Sequence, residues 1–424
     1  MANQTLRTLR MILSVIITIT LALSSGAWAQ SEYKTLYKFT GGTDGSSPTA
    51  GVIFDSAGNL YGTTTFGGAY GYGTVFKLAP DSDGSWAESV LYAFKGDPDG
   101  YFPESGLIFD AAGNLYGTTS GGGDYSNGTV FQLTPLSTGS WTENKLHSFA
   151  GPDGSAPDAG LIFDQAGNLY GTTYVGGSND VGTVFELTHE SSGKWTESVL
   201  YRFCSLEDCS DGIHPTASLI FDQAGNLYGT TEHSGGTTEH SGGPRLCCGV
   251  VFKLAPNRNG TWTESVLHSF THADGGTPLA EVIFDKAGSL YGTTSNRGDA
   301  GHGGTVFKLM PKSDGHWSEQ VLHRFNGEDG ANPYAGVIFD EAGNLYGTTE
   351  DGGSPSRCLD VGCGAVFRLA PSSGNWKGTV LHYFGGNPGA FPVDRLIFDA
   401  VGNLYGTTYG IGSTSFGSVF EIKP

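Results

Sequence analysis

The segment from Thr230 to Cys248 reads TTEHSGGTTEHSGGPRLCC and holds two Glu, two His and two Cys, all residue types that ligate transition metals. Other residues could also do chemistry. The acid pairs Glu350–Asp351 and Glu207–Asp208 carry the carboxyl groups that glycoside cleavage needs at a set separation, and His214 and His302 could act as acid or base. Aromatic side chains among Asp, Asn and Gly (Tyr70, Tyr72, Tyr101, Phe102, Tyr125, Tyr174, Tyr334, Phe391 and Tyr409) suit the apolar faces and hydroxyls of sugars. GxSxG, HExxH and GxxxxGK[ST] are all absent, so no familiar nucleophile, zinc-protease or phosphate-cradling motif is present.

These residues sit on a repeating scaffold. IFDSAGNLYGTT at Ile53 recurs with small changes, placing its Asp at 55, 110, 164, 222, 285, 340 and 399. Each unit has four short β-rich runs; in the first they are GVIFD, NLYGTT, GTVFKL and WAESVLYAF, bounded by Gly, Asp and Pro. Successive apolar residues in VIF and VLYAF imply burial on both faces. Four antiparallel strands per unit make a propeller blade. The N-terminal KTLYKFT matches a fourth strand, whereas the last unit stops after its third, GSVFEI. The expected fold is therefore all-β: a seven-bladed propeller closed by the N-terminal strand completing the last blade, with residues 30–424 as one domain. An open solenoid is the competing architecture.

The DxxGNLYGTTxxGG…GTVFKL unit resembles the tandem repeat of the bacterial choice-of-anchor GloVer-containing proteins over residues 33–424. The resemblance implies an exported repeat protein of a family that often carries C-terminal anchoring tails, and it implies no established reaction. D..GNLY is also loosely similar to hairpins of NHL-type propellers.

A residue present in nearly every unit is most economically explained by the blade. By that filter Asp55 and its counterparts make turn hydrogen bonds, and the Trp opening each fourth strand packs. Gly62 and its equivalents admit a close approach from the neighbouring blade. The VLY position is Tyr37, Tyr92 or Tyr201 in three units and His147, His268, His323 or His382 in four, which suits a flat structural ring. The loops between strands two and three and the interblade segments should share one upper face, with all six Cys and most singular residues.

The second TTEHSGG is a tandem copy of a strand end, so duplication accounts for the doubled Glu and His. A metal site of Glu232, His233, Glu239 and His240 is the minority reading, because Gly-rich segments position ligands poorly. The expectation is no metal and no cofactor. Cys204 and Cys209 are expected to cross-link to Cys247 and Cys248, with four-Cys zinc as the rival, and Cys358 to bond Cys363. The ligand-binding candidates are Tyr70, Tyr72, Tyr101, Phe102, Tyr125, Tyr174, His214, Glu232, His233, His302, Tyr334 and Tyr409.

Residues 1–29, with Arg7 and Arg10, the apolar run Met11 to Leu23 and Ala27-Trp28-Ala29, read as a signal peptide. The formal charge of −20 becomes −22 once these residues and their two Arg are removed. Such a balance repels nucleic acid and anionic lipid. The chain ends in VFEIKP, so the expectation is a monomer released to the periplasm or exterior, without membrane insertion. Its expected role is to bind carbohydrate or another extracellular ligand through the upper loops. A polysaccharide hydrolase or lyase and a purely structural surface protein are the alternatives.

Overall fold

The computed structural model describes residues 31–234, 248–298, 303–353, 358, 361–386, 389–411 and 415–424; the expected signal peptide lies outside the described residues. Seven four-stranded antiparallel sheets form the blades of a propeller, and no α-helix occurs among the described residues. In the first blade the strands run Ile53–Phe54, Leu60–Thr64, Thr74–Pro80 and Trp86–Ala93. The last blade takes its outer strand, Glu32–Lys38, from the N-terminal end, paired antiparallel with Ser418–Lys423.

Each recurring residue has a physical task. Asp55 accepts four hydrogen bonds: from the backbone N–H of Ala57 and of Asn59 (both 2.9 Å), from Asn59 Nδ2 (2.7 Å) and from the Tyr61 hydroxyl (3.0 Å). Burial pushes the carboxyl up, and these donors outweigh it, holding Asp55 below the usual carboxylate range. The first Thr of LYGTT ties blade to blade. Thr63 donates to the Ser105 carbonyl (3.2 Å), and the series closes where Thr407 of the last blade donates to Ala50 of the first (2.9 Å). The fourth-strand Trp packs on the preceding blade, as Trp141 does against Tyr61 at 6.4 Å.

Two expectations need correction. A Cβ on Gly62 would lie 2.7 Å from Phe76 and 3.2 Å from Val52. Both belong to the same blade, because Phe76 is the cross-strand partner of Gly62 and its fully buried ring fills the space a side chain would take. The VLYAF run is not buried on both faces either. Val75 pairs with Tyr92 and Phe76 with Val90, so Leu91 is an extra, bulged residue that interrupts the alternation, and Val90 stays exposed. Burial on both faces belongs instead to Leu60–Thr64, where all five residues are buried.

The Tyr/His position is structural in every blade described. Tyr92 donates to Asp99 (2.8 Å), and His147, His268 and His323 bond Asp153, Asp274 and Asp329 at 2.8–3.0 Å. Against each of the seven such rings the next blade presents the fourth-strand residue that pairs with the last buried residue of its third strand, as Glu88 pairs with Leu78. In five it is a glutamate: Glu88, Glu143, Glu197, Glu264 and Glu319. Burial and then the nearby Asp carboxylate push Glu264 up to about 8 and the other four to about 7. The remaining two interfaces differ. A Cβ on Gly378 would sit 3.3 Å from His323 Cε1, which explains the absent side chain. At the closing seam Tyr33 stacks on His382 at 4.0 Å.

Candidate functional site

The isolated bridges Ser46–Phe66, Tyr101–Gly121, Ser155–Val175 and Ile213–His233 join interblade segments to the loops after second strands, so both loop sets share one face, as expected. The residue before each interblade Pro is left-handed in all seven blades: Ser47, Phe102, Ala156, His214, Thr277, Asn332 and Phe391 have φ between 51° and 59°. None is Gly. Two backbone bonds hold each one. His214 N–H donates to Val181 of the preceding blade (2.8 Å), and its carbonyl accepts from Glu232 N–H (2.9 Å). The same pair of bonds recurs at Phe102 with Tyr72 and Ser120, and at Asn332 with Gly303 and Glu350. A repeated backbone device thus places a variable residue at the same point of this loop face in every blade.

Below this ring the residues after the Pro line an upper chamber of about 420 Å³, including Thr49, Glu104, Asp158, Thr216, Leu279, Tyr334 and Val393. A lower chamber of about 200 Å³ continues along the axis. Glu281, Asp394 and Arg395 lie where the two meet. Arg395 Nη1 is 3.0 Å from Glu281 Oε1, and the Gly51 N–H donates to Asp394, tying blades five, seven and one across the waist. Burial and then the Glu281 charge push Asp394 up to about 6, although two backbone N–H groups pull it down.

The chamber wall is acidic, with carboxyl groups biased toward protonation. Asp158 is pushed up to about 8 by burial and by Glu104, and its Oδ1 is buried without a hydrogen-bond partner among the described residues. Burial also raises Glu104, against a hydrogen bond from Ser120. Outside the lining but close enough to act on Tyr334, Glu350 is pushed up to about 7 by burial and by Asp351. Burial raises Asp351 too, although Asn332 Nδ2 donates to it at 2.7 Å.

The residues singled out in the sequence fall into three groups. Tyr72, Tyr101 and Phe102 join Phe66 in one aromatic shelf over blades one and two: Tyr72–Tyr101 centroids are 5.9 Å apart, Tyr101–Phe102 4.9 Å and Phe66–Phe102 5.1 Å. Tyr70 is exposed nearby in the same loop. Tyr174, His214, Glu232 and His233 come together where blades three and four meet. Tyr174 donates to Glu232 Oε2 (3.0 Å) and stacks on His214 at 4.5 Å. Burial, then the Glu232 carboxylate, push the Tyr174 hydroxyl up to about 12; burial holds His214 below its usual value, although the Glu232 and Asp180 charges pull it up. Tyr334 lines the upper chamber, Tyr409 is exposed after the second strand of the last blade, and Tyr125 stands exposed on a loop with no ring partner among the described residues. His302, Glu239 and His240 lie outside the described residues.

The expected cross-links between loops are corrected. Cys204 bonds Cys209, because the tight turn Glu207–Cys209 folds the segment back on itself. Cys248 is disulfide-bonded as well, and Cys247 lies outside the described residues. Cys358 bonds Cys363 as expected. Sequence reasoning missed the channel acids Glu104, Asp158, Glu281 and Asp394 and the cation Arg395. Their signal was legible: PTAG, PESG, PDAG, PTAS, PLAE, PYAG and PVDR depart from one another at just these places.

The model of the Gloeobacter/Verrucomicrobia repeat matches residues 20–243 and 236–424. The chain belongs to the Gloeobacter/Verrucomicrobia repeat family. A search of the curated proteins returns no match. Among solved structures, a Bacteroides uniformis protein designated a 6-phosphogluconolactonase superposes on this family member with a TM-score of 0.52 at 14% identity, covering 85% of this chain and 93% of that one. A structure designated a gluconolactonase matches at 0.42 and 16%, over 75% of this chain and 87% of its own. PorZ, a surface component of the type-IX secretion system of Porphyromonas gingivalis, matches at 0.44 and 16%; the repeat-family chain spans 84% of itself but only 45% of PorZ. At such identities the likeness is one of fold. No helix among the described residues is long and apolar enough to cross a membrane.

Proposed function

We propose that the protein is an exported binding module that takes a neutral polyhydroxylated ligand, a carbohydrate, at the upper mouth of the propeller channel. The observation that carries this reading is the contiguity of an aromatic shelf with the chamber carboxyls. Phe102, in the shelf, is two residues from Glu104 in the chamber wall, and Asp158 follows from the next blade. Aromatic faces take the C–H side of a sugar. Carboxyl groups that hold their proton can both donate to and accept from hydroxyls, without the desolvation cost of a buried charge. The signal-like residues 1–29 and the disulfides Cys204–Cys209 and Cys358–Cys363 support export.

The test is a glycan array with the chain starting at Gln30, with and without divalent cations, followed by calorimetry on the hits. Tyr101→Ala and Asp158→Asn should each weaken binding by about tenfold or more. An array without hits, or hits indifferent to both substitutions, overturns the reading. A second reading, polysaccharide cleavage, is favoured by Asp158 and Glu350, whose raised carboxyls suit a general acid. Product formation lost in Asp158→Asn would select it over binding alone.

A further inference from the structure

We propose that His214, Glu232 and His233 bind a divalent transition-metal ion of the zinc type on the upper face, where blades three and four meet. Each residue brings one ligand atom within 4.8 Å of the others. His233 Nδ1 lies 3.7 Å from Glu232 Oε1. Two ligands of a tetrahedral zinc with bonds of about 2.0–2.1 Å stand about 3.3 Å apart, so a small side-chain adjustment closes the set. Two imidazoles and one carboxylate also leave a four-coordinate ion one position for water or a ligand.

Two further observations point the same way. The Nδ1 atoms of both His214 and His233 are buried without a hydrogen-bond partner among the described residues, and orphaned buried nitrogens are rare and costly unless something takes them up. Around the three ligands there is already an orienting layer. Tyr174 holds Glu232 Oε2 by its hydroxyl (3.0 Å) while its ring lies against His214, so one side chain positions two ligands.

The objection drawn from the sequence, that Gly-rich segments place ligands poorly, does not reach these residues. Glu232 and His233 directly follow the strand Leu227–Thr231 and are pinned to the interblade segment. Ile213 N–H donates to the His233 carbonyl (2.9 Å) and Thr231 Oγ1 donates to the same oxygen (2.9 Å). A second grouping, His147, Asp153 and Glu197, has comparable spacing, but the repeat explains it: His147 Nε2 is already bonded to Asp153, and the pair recurs as His268–Asp274 and His323–Asp329. The combination of His214, Glu232 and His233 recurs in no other blade: Glu350 repeats the Glu232 position, but with Asn332 and Asp351 in place of the two histidines.

The experiment reads the metal alone and is independent of any glycan. The chain from Gln30, purified without a histidine tag and stripped with chelator, is titrated calorimetrically with Zn²⁺. One ion per chain is expected. His214→Ala and His233→Ala should each weaken binding at least tenfold, and Tyr174→Phe severalfold at unchanged stoichiometry. Melting of the metal-free variants checks that they fold. The Co²⁺ form of the unaltered chain supplies a variant-free readout, with visible bands of a four- or five-coordinate site. No saturable binding, a purely octahedral Co²⁺ spectrum, or loss confined to His147→Gln overturns the proposal.

Discussion

Glu264→Gln gives the sharpest test of how the blades are held together. Glu264 faces Asp211, a fully buried carboxylate that accepts from the Tyr201 hydroxyl (2.7 Å) and Ser205 N–H (2.8 Å), and Glu264 Oε1 has no hydrogen-bond partner among the described residues. Burial, then the Asp211 charge, push Glu264 from an ordinary 4.5 to about 8. A raised folded value means that the folded protein holds this proton where the unfolded chain has released it. The contribution is therefore fully present below pH 4.5 and is lost as pH rises to about 8. At about 1.4 kcal/mol per pH unit the span sets a ceiling of about 5 kcal/mol. Water at the blade edge and side-chain relaxation reduce it to about 1–2 kcal/mol. Glutamine keeps the shape and cannot ionise. Urea unfolding should show Glu264→Gln stabilised by about 1–2 kcal/mol at pH 8.5 and near wild type at pH 4.5. Because Glu88, Glu143, Glu197 and Glu319 occupy separate interfaces, their substitutions should add. A variant equally affected at both pH values, or destabilised at pH 8.5, would refute the reasoning.

His382 is the acid-side counterpart. Burial lowers it to about 4, so its contribution is present above pH 6.5 and lost as pH falls toward 4; His382→Tyr, the residue used in three other blades, should flatten the melting profile across that window. If wild type and His382→Tyr fall together, the seam does not titrate through this ring. A chain lacking residues 1–39 loses the buried side chains of Leu36 and Phe39, about 3–6 kcal/mol, and leaves Ser418–Lys423 as an open edge. Light scattering should detect association, whereas an undisturbed monomer with unchanged melting would show that this strand does not close the ring. Gly62→Ala should cost about 1–3 kcal/mol by driving a methyl into Phe76, and Phe76→Leu should recover part of it; a neutral Gly62→Ala would remove the steric account. A non-reducing peptide map should find Cys204 and Cys209 joined within one tryptic peptide, and a link from either to Cys247 or Cys248 would contradict the structure.

The blade, its sevenfold recurrence and its closure were all legible in the residues. A strand needs only a local pattern of apolar, β-branched and turn residues, and a fragment matching a fourth strand at one end with a three-strand remainder at the other admits few other arrangements. Local spacing could also place Asp55 in its turn, because donors at Ala57, Asn59 and Tyr61 lie within six residues. What the repeat could not disclose is which residues of different blades meet. Tyr174 and Glu232 are 58 positions apart and His214 lies between them, so only the packing of blades around the axis brings them together. Glu281 and Arg395 pair across an intervening blade for the same reason. The disulfide pairing of Cys204 was likewise a tertiary matter, set by the turn at Glu207–Cys209. Periodicity is a short-range property of a chain, whereas a site at the axis is assembled from single departures in separate repeats, and its chemistry depends on distances that spacing along the chain does not encode.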